Sequence, residues 1–266
     1  TGTGVAWAQE AYIKASNQGG NHFGNSVSIS GDTVAVAAYL ESSNQTTVTN
    51  GTTVNTNYLG QNSGAVYLFK RNGSFWIPEA YLKSSNSQMG DSFGSSVFLS
   101  LDTLVVGAKT EDSSQTTVTN GALASSDNSS NNSGAAYIFQ RTGSIWGQEA
   151  YLKANNPSSS DFFGPSVAIS GDTVVVAAPV EASAQTFINN GSMPNIDNSA
   201  IQSGAAYIFR RVGGSWAIEA FLKSSNSESG DSFGKSIAIS GDTIAVGANG
   251  ESSNLKTITN GIGSSL

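Results

Sequence analysis

The chain has no cysteine among its 266 residues, which excludes disulfides, thiol catalysis and thiolate metal sites together. It has one histidine, His22, so a histidine-based catalytic or metal constellation has almost nothing to build on. Charged residues make up only 12% of the chain, and the surface must therefore be made of Ser, Thr, Asn and Gly. The net charge of −7 and a pI near 4.6 oppose phosphate backbones and anionic lipid surfaces, so neither nucleic acid nor membrane is expected as a partner. No apolar run reaches the roughly 18 residues of a membrane span, and membrane insertion is not expected. The opening Thr1-Gly2-Thr3-Gly4 has neither a basic nor a hydrophobic region of a targeting signal. A cysteine-free, acidic, hydroxyl- and amide-rich composition favours an extracellular or cell-surface location.

What is present is repetition. Phe23-Gly24, Phe93-Gly94, Phe163-Gly164 and Phe233-Gly234 recur at one interval, since 93 − 23, 163 − 93 and 233 − 163 all equal 70. A repeat of this kind cannot bury its own faces and must stack on its neighbours. The third copy reads most clearly: Phe163–Ser170 as strand a, Gly171-Asp172 as a two-residue turn and Thr173–Ala178 as strand b. A polar stretch follows, then Gly204–Arg210 as strand c, a Gly213-Gly214 turn and Trp216–Lys223 as strand d. Strands a and b are apolar on both faces, as in Val34-Ala35-Val36-Ala37, which a one-sided sheet would not be. The expectation is an all-β propeller of four-stranded antiparallel blades, each covered on both sides by the next. Val27, Ile29, Val34, Val36 and their equivalents are expected between blades.

The array divides into a lone strand d and loop (1–22), blades at 23–92, 93–162 and 163–232, and an incomplete blade at 233–266. That makes fifteen strands in the order d, three times abcd, then ab. A strand d at Trp7–Lys14 is what a propeller uses to close its last blade, yet strand c of that blade is missing. The chain is thus expected to be a fragment of a longer protein or to take the strand from another chain, associating through its unpaired edges.

The segment Gly90-Asp91-Ser92-Phe93-Gly94 and the Ala177-Ala178-Pro179 end of strand b resemble the FG-GAP repeat of integrin α-subunit heads and bacterial surface proteins. The resemblance runs through all four copies. It implies a propeller, a binding or adhesion role, and calcium in an acidic loop between strands a and b. This chain departs from the pattern there: each turn keeps a single carboxylate, Asp32, Asp102, Asp172 or Asp242, too few oxygens for Ca²⁺. No cofactor is therefore expected. Leu101 replaces the Gly of the turn, which implies strain or another turn type.

Glu41, Glu111, Glu181 and Glu251 stand just after strand b in every copy, with Asp112 beside one of them. They could seed a metal site, but they read better as carboxylates that anchor the loop through backbone N–H bonds. Asp91, Asp161 and Asp231 read as turn caps. Trp7, Trp76, Trp146 and Trp216 recur once per blade, and would suit sugar stacking or, more commonly, packing between blades. Glu10 with Lys14, Glu79 with Lys83, Glu149 with Lys153 and Glu219 with Lys223 lie four apart, hence on one strand face, as solvated pairs. The long b–c loops each carry Asn-Gly, at Asn50, Asn120, Asn190 and Asn260, and these asparagines are candidate ligand contacts. Since the b–c and d–a connections emerge on one side of each blade, that side is the expected working surface. The reading is a non-catalytic surface propeller that binds protein or carbohydrate. The alternatives are a fibre or sheath subunit joined to other copies, and a lectin with one sugar site per blade.

Overall fold

The computed structural model describes residues 6–17, 21–191 and 196–254, and within them contains strands and turns but no helix. The first repeat supplies β1 (Val27–Ser30), β2 (Thr33–Ala38), β3 (Thr49–Asn50), β4 (Ala65–Asn72) and β5 (Phe75–Leu82). The second supplies β6 (Phe93–Ser100), β7 (Thr103–Ala108), β8 (Thr119–Asn120), β9 (Ala135–Thr142) and β10 (Ile145–Leu152). In the third are β11 (Val167–Ser170), β12 (Thr173–Ala178), β13 (Asn189–Asn190), β14 (Ala205–Val212) and β15 (Ser215–Leu222). The fourth has β16 (Phe233–Ser240) and β17 (Thr243–Ala248). Each complete repeat forms one antiparallel sheet, in the order β1-β2-β4-β5-β3 for the first. The fold is all-β and propeller-like, as the patterning implies.

Three expectations need correction. The blades have five strands, because two residues of the b–c loop pair with the outer strand, Asn50 opposite Ala80 and Thr49 opposite Tyr81; the described chain thus runs to β17. The loop folds back to cover the edge, which blunts an otherwise open ladder. Secondly, Trp7–Lys14 is not a strand. It lies where strand d of a preceding blade would, with Glu10 3.6 Å from Arg71, but no strand c runs beside it to form a ladder. Thirdly, Val27 and Ile29 are 62% and 64% exposed, whereas their equivalents Val97, Leu99, Val167 and Ile169 are at most 6% exposed. The inner copies are covered by the preceding blade and the first is not.

Stacking rests on small residues at close approach. Phe93 N–H donates to Ser63 O at 3.0 Å, making a parallel bridge between Gly64 and Phe93. A Cβ on Gly64 would lie 2.0 Å from Phe93 O, so only glycine fits. The ring of Phe93 then packs edge-on against Tyr137 and Phe139 of its own blade, at 5.3 and 5.8 Å. The Ser-Gly that opens strand c and the Phe-Gly of the next copy are therefore two halves of one joint. Along the inner strands, Val97, Leu99 and Leu101 donate their N–H groups to Ser26, Ser28 and Ser30 Oγ at 3.1, 2.9 and 3.0 Å. These hydroxyls satisfy an edge that has no strand partner.

Leu101 settles the turn question. Its φ of +53° matches +56° at Gly31 and +57° at Gly171, so the turn keeps its type and the leucine carries the strain of the left-handed region.

Candidate functional site

The recurring glutamate after strand b proves to be the centre of a buried polar cradle. Glu41 and Lys83 are both fully buried, with Lys83 Nζ 3.0 Å from Glu41 Oε2. The same ammonium donates to Ser43 O at 2.9 Å and Ser63 Oγ at 2.7 Å. Glu41 also accepts from Asn17 Nδ2 at 2.9 Å and from Ser43 N–H and Oγ at 3.1 and 2.9 Å. Lys153 with Glu111 and Lys223 with Glu181 repeat the pair at 3.0 Å each. Burial pulls the three lysines below their usual value, against the opposing effect of the glutamates. Phenol groups close the cradle: Tyr67 donates to Asn17, Tyr137 to Asn86 at 2.6 Å and Tyr151 to Glu111 at 2.9 Å. Burial raises the pKa of Tyr67, Tyr137 and Tyr151 above the ordinary phenol value.

The glutamates thus anchor their loops through N–H bonds, as expected, but their main partner is a lysine that the four-residue spacing had assigned elsewhere. A β-bulge is the reason. Leu68 pairs with Ala80 and Phe69 with Pro78, leaving Glu79 as the extra residue. Strict alternation fails there. Lys83 turns into its own blade and Glu79 reaches the next, where Arg141 Nη1 meets it at 3.0 Å; Arg211 and Glu149 do the same at 3.0 Å. Chemically, the ammonium already fills the oxygen set that a cation would need. Asp112 is engaged too, accepting Asn132 N–H at 2.6 Å. Glu251 keeps the local half of the cradle, accepting from Asn226 Nδ2 at 3.0 Å and Ser253 N–H at 2.8 Å. Among the described residues no group of three or more His, Cys, Asp or Glu side chains is placed to hold a metal. The turn aspartates hold arginine: Asp32 lies 2.6 Å from Arg71, Asp102 2.5 Å from Arg141 and Asp172 2.7 Å from Arg211.

The Asn-Gly asparagines and the tryptophans, candidates for separate ligand contacts, are parts of one joint. Asn50 Oδ1 accepts Trp146 N–H at 2.8 Å while its Nδ2 donates to Trp146 O at 3.1 Å. Asn120 clamps Trp216 identically, at 2.7 and 3.1 Å. Each pair ties a b–c loop to the outer strand of the following blade. Trp146 and Trp216 are 1% exposed, and the Arg141 and Arg211 guanidiniums lie 5.3 and 5.2 Å from their ring centroids. Trp76 is half-buried beneath Arg71 at 5.8 Å. No indole face is left for a sugar in the two inner blades. Asn190 is exposed, and Asn260 lies outside the described residues.

Buried Asp91 and Asp161 cap their turns, accepting Gln88 and Ser158 N–H at 2.7 Å. Burial pushes these carboxyls up to about 8 and about 7. In the first copy Asn21 takes the place, and its buried Nδ2 has no partner among the described residues.

That asparagine borders a loop-side cleft with apolar walls, a space of ≈ 510 Å³ lined by Asn21, Leu40, Ser42, Tyr58, Leu59, Gln61, Asn62 and Met89. All come from the b–c and d–a connections. Leu59, Met89 and Tyr58 are exposed. The equivalents of Tyr58-Leu59 are Asn128-Ser129 and Asn198-Ser199, and Met89 becomes Ser159 and Ser229. In those copies the loop is closed over by carboxylates, Asp127 accepting from Ser114 and Ser129, and Asp197 from Ser199. Tyr58, Leu59 and Met89 are thus peculiar to the first copy. Sequence reading overlooked the cleft, although the break in repetition at Tyr58, Leu59 and Met89 was visible.

The FG-GAP repeat family model matches residues 7–69, 76–139, 146–209 and 216–261, and the chain belongs to the FG-GAP repeat family. Each matched stretch begins at the recurring tryptophan, and the first three end in strand c, one strand out of phase with the sheet they help to build. Curated protein sequences give no match. Among the described residues no helix is long and apolar enough to cross a membrane.

Proposed function

We propose that this chain is a non-catalytic, extracellular or cell-surface binding propeller of the integrin α-like kind, working through its loop side. The observation that carries the reading is the cleft of blade 1, where an otherwise regular array breaks its symmetry. Its volume of ≈ 510 Å³ is within the usual range for a ligand site, and it combines apolar walls with a few amide groups. Exposed Leu59 and Met89 favour a protein ligand that inserts an apolar side chain, with Asn21 Nδ2 offering a buried donor for a carbonyl. A lectin with one sugar site per blade has less support, because the repeated tryptophans are occupied. The non-catalytic reading rests on the sequence, with its single histidine and no cysteine.

The double change Tyr58→Asn, Leu59→Ser converts blade 1 to the residues found in blade 2. Binding to arrayed matrix proteins and glycans should fall about tenfold or more for the true ligand, the effect of losing one anchor of an interface. Unchanged binding would move the working surface elsewhere on the array.

A further inference from the structure

The buried cradles bring together three groups whose chemistry is not exhausted by anchoring a loop. In the cradle of blade 2, Glu111 bridges an amine and a carboxamide: Lys153 Nζ lies 3.0 Å from its Oε2 and Asn86 Nδ2 3.0 Å from its Oε1. The amide is polarised as well, because Tyr137 donates its O–H to Asn86 Oδ1 at 2.6 Å. Blades 1 and 3 repeat the set, as Asn17, Glu41, Lys83 and Tyr67 and as Asn156, Glu181, Lys223 and Tyr207. Lys153 and Glu111 are each 1% exposed, so bulk water is kept from the amine. Burial pulls the lysine below its usual value, which favours the neutral form, a nucleophile. These groups stand in the middle of the array, between complete sheets.

We propose that Lys153 and Asn86 form a covalent amide cross-link within this chain, with Glu111 as the proton carrier. The lysine ammonium passes one proton to the Glu111 carboxylate, and the freed lone pair attacks Asn86 Cγ as the side chain swings off Oε2. A C–N bond forms and the carbonyl electrons move onto Oδ1, where the Tyr137 O–H meets the charge. Glu111 then protonates Nδ2 and takes a proton from the attacking nitrogen; the Cγ–Nδ2 bond breaks, its electron pair leaving with ammonia as the carbonyl re-forms. Ammonia takes the last proton from Glu111 and departs as ammonium, so the step needs neither oxidant nor cofactor. Asn86 lies in the connection that leads into β6, and Lys153 directly follows β10. The bond therefore ties the entry of blade 2 to its exit, and a pull along the chain bypasses the blade. It goes beyond the binding reading and involves no residue of the loop-side cleft.

Mass spectrometry of residues 1–266, purified in folded form and held at neutral pH, tests it. A protease digest should contain a branched peptide joining Asn86 to Lys153, lighter than the sum of its two parts by one ammonia. Asn-Gly pairs also lose ammonia, by closing to cyclic imides, but hydroxylamine opens those and leaves the branched amide intact. Lys153→Arg keeps the cation and Glu111→Gln keeps the size, and neither should give the branched peptide; circular dichroism confirms that each is folded. Asn86→Asp should give the same branch with loss of water instead, since a carboxyl group then supplies the carbon. The unmodified chain and Asn86→Asp decide the question even if Glu111→Gln fails to fold. Finding only linear Asn86 and Lys153 peptides in folded, unmodified protein overturns the proposal. So does a branched peptide that Glu111→Gln leaves at full yield.

Discussion

Strand a of blade 1 and strand a of blade 2 are close in composition and opposite in environment. Val27 and Ile29 are 62% and 64% exposed, Val97 and Leu99 6% and 3%. The local hairpin is unaffected: Ser30 pairs with Thr33 as Ser100 pairs with Thr103. Pattern therefore decides that a hairpin forms, while burial is granted by the neighbouring blade. The energetic worth of one motif position differs from copy to copy.

The cradle is where this comparison should yield the largest effect. Lys153→Met strands Glu111 in a buried site, and should cost about 3–5 kcal/mol in urea unfolding. Replacing both residues with apolar ones of similar size should recover most of that loss. Glu251→Gln, at the exposed equivalent, should cost less than about 0.5 kcal/mol. Equal costs at the two positions would show that the ammonium does not set the value of the glutamate.

Next in size is the inner strand itself. Leu99→Ala should cost about 2–5 kcal/mol, the range for a buried leucine, and Ile29→Ala less than about 0.5 kcal/mol when measured in dilute solution. Should the two come out alike, the open face of blade 1 is covered in solution.

The turn carboxylates add a pH dependence that the first copy lacks. Asp91 is held up to about 8 by burial, from an ordinary value of 3.8. Over that window the folded state keeps a proton that the unfolded state gives up, so stability falls as pH rises from about 4 to about 8. Asp91→Asn installs the residue the first copy has at position 21 and should flatten the slope of urea midpoint against pH. A slope that is unaltered would assign the dependence to other groups.

The smallest effect concerns Leu101. Its left-handed φ of +53° is strained for a side chain carrying Cβ, and Leu101→Gly should raise stability by about 1 kcal/mol. A loss instead would mean that the exposed leucine contacts something in solution.

The sequence was legible where chemistry is local or strictly periodic. Phe-Gly every 70 residues, Gly-Asp turns and doubly apolar strands were enough for the blades and their order, because each depends on residues near in the chain. The family pattern was legible for the same reason. The site was less so. Four-residue spacing placed Glu79 with Lys83, and the bulge at Glu79 undid it. The constant 42-residue separation of Glu41 from Lys83, Glu111 from Lys153 and Glu181 from Lys223 was present in the sequence, but it gains meaning only once strands b and d lie side by side.

By itself the sequence determined an all-β repeat array and its phase, since backbone stereochemistry and alternation act within a few residues. Tertiary structure alone decided which of four equivalent glutamates are buried, that Asn50 grips Trp146 from 96 residues away, and that a cleft opens at blade 1. Those outcomes depend on what stands across a blade interface, and a position in a repeat carries no record of whether its neighbour is there.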